Sequence, residues 1–262
     1  TQTTTTSGDT TTTTSSEYDK LGNETKFVDE AGNANTTTYD GVDRTVEDVE
    51  YDGNNSGTPL SVTENDYGYV MYSGIMCSYT ITTIKDGFSN NILKQTVKVK
   101  DYADNVVLTG TVLLNSAHNT LTFNEAFTYY SNDESREISL RLMEFEKTTY
   151  NSVGLATEVI NHKGVKTENT YDASGRCTQV KVSKGSNTEI TTTVYDDAGN
   201  VLKETAADGT QTITTYDKQN RVLSKTTKKG SNELTTNTFT YDLIENGRTK
   251  LKATDAKGRH SY

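Results

Sequence analysis

The chain has 262 residues, 31% hydrophobic and 24% charged, with no tryptophan and a formal net charge of −10. An isoelectric point near 4.9 excludes a nucleic-acid backbone as partner, because phosphate binding needs a basic footprint, and no apolar run approaches the roughly 20 residues of a membrane-spanning helix. Low mean hydropathy (−0.72) excludes an ordinary core-rich enzyme, while 16 tyrosines and an excess of β-branched threonine argue for ordered β structure with a thin core rather than for disorder.

In chain order, residues 1–17 are a Thr/Ser run without apolar period, read as a linker or a lead-in strand. From residue 18 a dipeptide recurs: Tyr18-Asp19, Tyr39-Asp40 and Tyr51-Asp52. Residues 53–149 lack clear copies but still read as strands, at Val97-Lys98-Val99-Lys100, Val106-Val107-Leu108-Thr109, Leu121-Thr122-Phe123 and Ile138-Ser139-Leu140-Arg141-Leu142. Asp101-Tyr102-Ala103-Asp104-Asn105-Val106 resembles Asp196-Asp197-Ala198-Gly199-Asn200-Val201, which favours degenerate repeats over an inserted β module. The dipeptide returns in 150–262 as Tyr171-Asp172, Tyr195-Asp196, Tyr216-Asp217 and Tyr241-Asp242, with Tyr150-Asn151 a near match. Successive tyrosines from 150 onward are 21, 24, 21, 25 and 21 residues apart, the last step ending on Tyr262. A repeated register of this kind marks a repeat architecture.

One unit shows the chemistry. Thr191-Thr192-Thr193-Val194-Tyr195 is strand material. Asp196 is placed to accept backbone N–H groups in an Asx-turn, and Gly199 supplies a positive φ without a Cβ clash. Val201-Leu202 then opens the return strand, so the unit is a β-hairpin with a four-residue loop. Gly22, Gly154, Gly175 and Gly258 share the Gly199 offset, and Asn220, the next most tolerant residue, replaces glycine after Asp217. The Tyr241 unit, which runs from Asp242 to its glycine at Gly247, is longer than the others, so a wider or bulged turn is expected. With second turns such as Ala207-Asp208-Gly209, each period holds two strands and two turns. The fold class is all-β, an antiparallel hairpin meander without long helices.

The pattern Tyr-Asp-x-x-Gly-Arg/Asn resembles the YD repeat of the Rhs family, related to teneurins and bacterial wall-associated proteins. Tyr171-Asp172-Ala173-Ser174-Gly175-Arg176, Tyr195 to Asn200 and Tyr216 to Arg221 carry it, and Tyr18 to Asn23 matches as well. The resemblance is strong over 150–262, fair over 18–52 and weak between. It implies an extended, curved sheet that spirals into a hollow shell, often around a C-terminal toxin, or an adhesion ectodomain as in teneurins. It also implies secretion or display at the cell surface or wall. The Asp-Pro-containing closing segment of the fullest members is not found, the one proline being Pro59. The chain begins at Thr1 rather than Met and reads as a piece of a longer protein whose targeting segments lie outside it.

The repeated aspartates are read as turn formers rather than catalytic or Ca²⁺-binding groups. Asp40, Asp43, Glu47, Asp48, Glu50 and Asp52 lack EF-hand spacing and are read as a solvated face. Repeat tyrosines are expected to stack between neighbouring hairpins. Tyr67, Tyr69 and Tyr72, with Tyr79, fall outside the repeat register and are the candidate binding surface. His118, His162 and His260 are scattered, without a nucleophile motif. For Cys77 and Cys177 the sequence leaves both a disulfide and two free thiols open, and neither has metal-ligand spacing. No cofactor, metal or catalytic residue is expected.

The leading expectation is a structural segment that scaffolds or encloses another part of the same polypeptide. A surface adhesin that binds a glycan or a cell-surface protein is the second reading, and a fragment of a carbohydrate-active enzyme the third. Unpaired strand edges are expected to favour self-association.

Overall fold

A computed structural model describes residues 2–7, 10–53, 57–112, 125–130, 137–245, 248–255 and 257–261. All regular structure among them is β-strand. The chain divides into two compact units, residues 1–148 with 161–163, and residues 149–160 with 164–262.

The first unit opens with β1 (Gln2–Ser7) and β2 (Thr10–Tyr18), paired so that threonine faces threonine from Thr3↔Thr14 to Thr6↔Thr11. The opening Thr/Ser run is therefore strand. It is followed by β3 (Glu24–Val28), β4 (Ala34–Tyr39), β5 (Thr45–Tyr51), β6 (Pro59–Tyr72), β7 (Ile75–Asp86), β8 (Ile92–Lys100) and β9 (Val106–Val112). Each pairs antiparallel with the strand before it. Next come β10 (Glu125–Tyr130) and β11 (Glu137–Tyr150). The first half of β11 pairs with β10 and its second half with β9. The expected strand at Leu121-Thr122-Phe123 lies outside the described residues.

The core of this unit sits where the repeat signature lapses. Alternation along β7 puts Cys77, Tyr79, Ile81 and Thr83 on one face, all buried. The register lines Tyr79 up with Val99 and Leu108, and Ile81 with Val97 and Gly110. Leu142 opposite Val112 extends the patch, and Leu108, Leu142, Val97, Val99 and Cys77 are its most completely enclosed side chains. Burial on one side requires a cover, and β10 comes back against β6. The segment from β6 to β11 therefore curls on itself, although no ladder joins β10 to β6 among the described residues. Gly68 marks a close approach inside the curl. It pairs with Tyr79, whose ring lies where a Cβ on Gly68 would stand, at 2.5–2.6 Å.

The second unit is built from shorter strands. These are β12 (Ala156–Asn161), β13 (Val165–Tyr171), β14 (Cys177–Lys184), β15 (Asn187–Tyr195), β16 (Val201–Thr205), β17 (Thr210–Tyr216), β18 (Val222–Lys229), β19 (Asn232–Glu245), β20 (Arg248–Thr254) and β21 (His260–Ser261). They pair in chain order as an antiparallel meander. Most side chains are half-buried, as in a sheet with little laid over it. Cross-strand polar pairs hold its surface instead. Lys166 bridges Glu158 on the facing strand at 2.7 Å and Glu168 on its own strand at 3.2 Å, and Lys181 bridges Glu168 from the next strand at 2.7 Å. Thr226 meets Thr236 at 2.9 Å, in keeping with the weak but additive worth of such pairs.

Candidate functional site

In an antiparallel meander alternate turns fall at the same ends of the strands, so the turns at Asp19 and Asp40 share one rim of the first unit. The turns at Asn151, Asp172, Asp196 and Asp217 likewise share a rim of the second. Tyr51-Asp52 ends β5 at the opposite end from Tyr39, half a period out of step with the repeat, as its 12-residue distance from Tyr39 requires.

The Tyr-Asp turns at Asp19, Asp40, Asp172, Asp196 and Asp217 are held by one hydrogen-bond set. In the Asp172 turn, the Asp172 N–H donates to Arg176 O and the Gly175 N–H donates to Asp172 O, both at 3.0 Å. Asp172 Oδ1 accepts the N–H of Ser174 (2.9 Å) and of Arg176 (3.0 Å), while Oδ2 accepts Arg176 Nε at 2.7 Å. Gly175 has φ +79°, a conformation glycine adopts without penalty. Asp40 with Arg44 and Asp217 with Arg221 repeat the arrangement. Asp19 with Asn23 and Asp196 with Asn200 repeat its core, an asparagine amide replacing the guanidinium. Positive φ is taken by Gly22 and Gly199, by Asn220 after Asp217, and by Asp43 after Asp40.

The loop has five residues rather than the expected four, and a β-bulge accompanies it. Val194 pairs with Lys203 but Tyr195 with Val201, so Leu202 is the extra residue. The same shift occurs at Tyr18, Tyr39, Tyr171 and Tyr216. A bulge adds local twist and re-aims the neighbouring side chain. That side chain is the tyrosine, and its hydroxyl reaches the adjacent strand. Tyr39 donates to Glu24 O (2.9 Å), Tyr171 to Ala156 O (2.7 Å), Tyr195 to Cys177 O (3.0 Å) and Tyr216 to Val201 O (3.0 Å). In each case the acceptor is the residue just after the preceding turn of the rim. Every such tyrosine therefore clips the strand that leaves the turn before it.

The residue four places after the aspartate links turns in the same direction. The Arg176 guanidinium sits 4.8 Å from the Tyr195 ring centroid and donates to Asp196 O at 2.7 Å. Arg221 sits 4.5 Å from the Tyr241 ring. Asn200 donates to Asn220 Oδ1 at 2.9 Å, and Asn23 to Asp43 Oδ1 at 3.1 Å. These arginines and asparagines were legible only as part of the family pattern, without a role. Turns without a preceding tyrosine, among them Asp29 with Asn33 and Asp101 with Asn105, use the same carboxylate bonds. The five-residue spacing Asp-x-x-Gly/Asp-Asn is the signal that finds them.

The electrostatics follow from this geometry. The side-chain amides of Asn23, Asn33 and Asn200 hold Asp19, Asp29 and Asp196 below the usual carboxylate range. Backbone N–H groups of Arg44, Arg176 and Arg259 do the same for Asp40, Asp172 and Asp255. For Asp217, burial pushes upward and is outweighed by the Arg221 N–H and guanidinium. Asp208, bonded to the Thr210 N–H and to Lys229, is lowered to about 2. The acidic group of the sequence is divided by roles. Asp40 forms a turn, Asp43 takes positive φ, Asp48 accepts Thr37 Oγ1 (2.8 Å) and Glu50 accepts Ser61 Oγ (2.8 Å). Among the described residues no three His, Cys, Asp or Glu side chains are grouped to hold a metal ion.

The three candidate binding tyrosines separate. Tyr67 does what a repeat tyrosine does, donating to Thr45 O at 2.8 Å with the Arg44 guanidinium 4.3 Å from its ring centroid. Tyr72 lies beneath Lys147, 5.8 Å from ring centroid to Nζ. Tyr69 is exposed. Tyr241 reaches its rim position, but β19 runs on to Glu245, so Asp242 lies within a strand and Gly247 outside the described residues. The register shift between Thr240 and Leu243 places a bulge there. His162 contributes its N–H to Phe145 O at 2.9 Å. His118 lies outside the described residues. Cys77 and Cys177 are both free thiols.

With this geometry in hand, comparison with known proteins gives one family match. The RHS Repeat family matches residues 195–232, which contain the complete Asp196 and Asp217 turns. No curated protein matches the chain. Among solved structures, TcdB2-TccC3-Cdc42 aligns at 13% identity and a TM-score of 0.43, covering 96% of this chain and 14% of that one. TcdB2-TccC3 without its hypervariable C-terminal region aligns at 15% and 0.42, covering 97% and 14%. A Photorhabdus luminescens Tc holotoxin pore aligns at 14% and 0.42, covering 94% and 14%. The chain thus spans about one seventh of the length of these structures.

Proposed function

We propose that this chain is a non-catalytic wall segment of a secreted or surface-displayed Rhs/YD-repeat protein, which scaffolds or encloses another part of the same polypeptide. The observation that supports it is the turn set itself. The five aspartates Asp19, Asp40, Asp172, Asp196 and Asp217 each spend their carboxylate on N–H groups of their own turn. The tyrosine hydroxyls spend theirs on the neighbouring strand. Groups committed in this way join one hairpin to the next and are not themselves free to act as an acid–base pair. The side chains that repeat are those that extend the sheet.

The test is limited proteolysis of the full-length natural polypeptide that contains this chain. An enclosed segment resists trypsin in the native protein and becomes cleavable once the wall is opened with denaturant. Cleavage of every other segment at the same rate in native and denatured protein refutes enclosure. Hydrolytic activity that is lost on changing one specific carboxylate pair refutes the non-catalytic reading.

A further inference from the structure

Consecutive turns of the repeat meet along a rim at four junctions among the described residues. They join Asp19 to Asp40 in the first unit, and Asn151 to Asp172, Asp172 to Asp196 and Asp196 to Asp217 in the second. At each junction the residue four places after the first Asp or Asn lies against the residue of positive φ in the turn that follows. Asn23 donates to Asp43 Oδ1 at 3.1 Å and Asn200 to Asn220 Oδ1 at 2.9 Å. Leu155 Cδ1 is 3.5 Å from the place a Cβ on Gly175 would take, and Arg176 Nη1 is 3.9 Å from that place on Gly199. Glycines at the other ends of these strands, Gly185, Gly209 and Gly230, have no such neighbour within 4 Å.

The combinations are not mixed: asparagine faces a side-chain carbonyl, whereas leucine and arginine face glycine. A carboxamide nitrogen has two N–H donors. One goes to the aspartate of its own turn, Asp19 Oδ2 at 3.0 Å or Asp196 Oδ2 at 2.8 Å, and the short side chain needs an acceptor close by for the other. Asp43 and Asn220 supply it, although a φ of 61° or 62° strains a residue with a Cβ. The Leu155 side chain has no donor. Arg176 places its donors on Asp172 Oδ2 and Asp196 O, both at 2.7 Å. Both side chains are long enough to extend over the next turn, where a side chain at the positive-φ position would compete for the same space and glycine leaves it open.

We propose that this contact is a matching rule between neighbouring hairpins. An asparagine four places after the turn aspartate takes as its neighbour a turn with Asp or Asn at positive φ, and a leucine or arginine there takes one with glycine. Tyrosine and aspartate recur from unit to unit and cannot tell one hairpin from another. The matched pair can, because a mismatch leaves a donor without its acceptor or sets two side chains in one space. It thereby sets the order in which hairpins stack and guards a repeat chain against pairing out of register. The rule goes beyond the wall role and holds whatever the sheet surrounds.

The test exchanges partners in the full 262-residue protein, with hydrogen exchange at the amides of 196–222 reporting the opening constant of these turns. Beside the native Arg176, Gly199→Asn raises that constant about tenfold; in an Arg176→Asn background, where an amide stands ready for it, the same change raises it about twofold or less. Asn200→Ala and Asn220→Gly only remove atoms, so they keep the fold and form an independent double-mutant cycle, with an expected coupling of about fivefold. The strain relieved by Asn220→Gly is common to both backgrounds and cancels in that cycle. Either of two results overturns the rule: the same effect of Gly199→Asn beside arginine and beside asparagine, or effects at Asn200 and Asn220 that multiply independently.

Discussion

Replacing Tyr195 tests the clip that recurs along the rim. The hydroxyl donates to Cys177 O at 3.0 Å, and the Arg176 guanidinium lies 4.8 Å from the ring centroid. Tyr195→Phe keeps the ring and removes the hydrogen bond, for a loss of about 1 kcal/mol. Tyr195→Ala also removes ring burial and the cation–π contact, for a loss of about 3 kcal/mol. In a unit of this size about 1 kcal/mol moves the melting midpoint by about 4 °C. Urea titration followed by circular dichroism measures the two losses, and hydrogen exchange locates them at the amides of 177–179. Tyr69→Phe, at an exposed ring, is the control and leaves the midpoint in place. If Tyr195→Phe matches the parent within about 0.3 kcal/mol, the hydroxyl is not a clip, and the rim is held by turns and ring packing alone.

Gly68→Ala puts a methyl group 2.5–2.6 Å from the buried Tyr79 ring and is expected to cost about 1–3 kcal/mol; an unchanged urea midpoint contradicts the close approach. Acid should loosen the turns. The turn aspartates are lowered when folded, Asp208 to about 2 from an ordinary 3.8, so their stabilisation is complete above the unfolded value. It is lost as pH falls from about 4 toward 2. A urea midpoint that stays level or rises through that window rejects the assignment. Burial pushes the Cys77 thiol up, helped by Asp101, so a disulfide reagent at pH 8 should label Cys177 in the folded protein and Cys77 only on unfolding. Equal labelling rates rule out the buried position.

The meander was legible because its signal is local and repeated. Tyr, Asp and Gly at fixed offsets each answer a separate backbone requirement, and threonine supplies the strands between them. What escaped depended on residues brought together across strands. Asp43 and Asp104 take the positive φ that glycine takes elsewhere (61° and 66°), yet in sequence they read as surface acids. Arg176 and Asn200 look alike as polar residues after a turn. Only the neighbouring turn shows that one reaches a ring and a carbonyl, and the other an amide. The bulge after each tyrosine was invisible for the same reason, since it is a mismatch between two strands and belongs to neither alone.

Tyr67 and Tyr241 show how one position yields two outcomes. Both sit where a rim tyrosine should, each beside the arginine of the preceding turn, at 4.3 and 4.5 Å from the ring centroid. After Tyr39, Tyr171 and Tyr195 an aspartate follows, with a residue of positive φ three places later, and the chain reverses. After Tyr67 comes Gly68 and an uncharged run, and after Tyr241 comes Asp242 with Glu245 at the offset glycine should occupy. Neither sequence can close the five-residue loop, so β6 and β19 continue past the rim as 14-residue strands. Inserting Asp-Ala-Ser-Gly-Arg directly after Tyr67 should therefore move the reversal to that point. Amide exchange would show it as lost protection across 68–77, and retained protection there would mean that the buried face of β7, rather than the turn, sets the length of the hairpin.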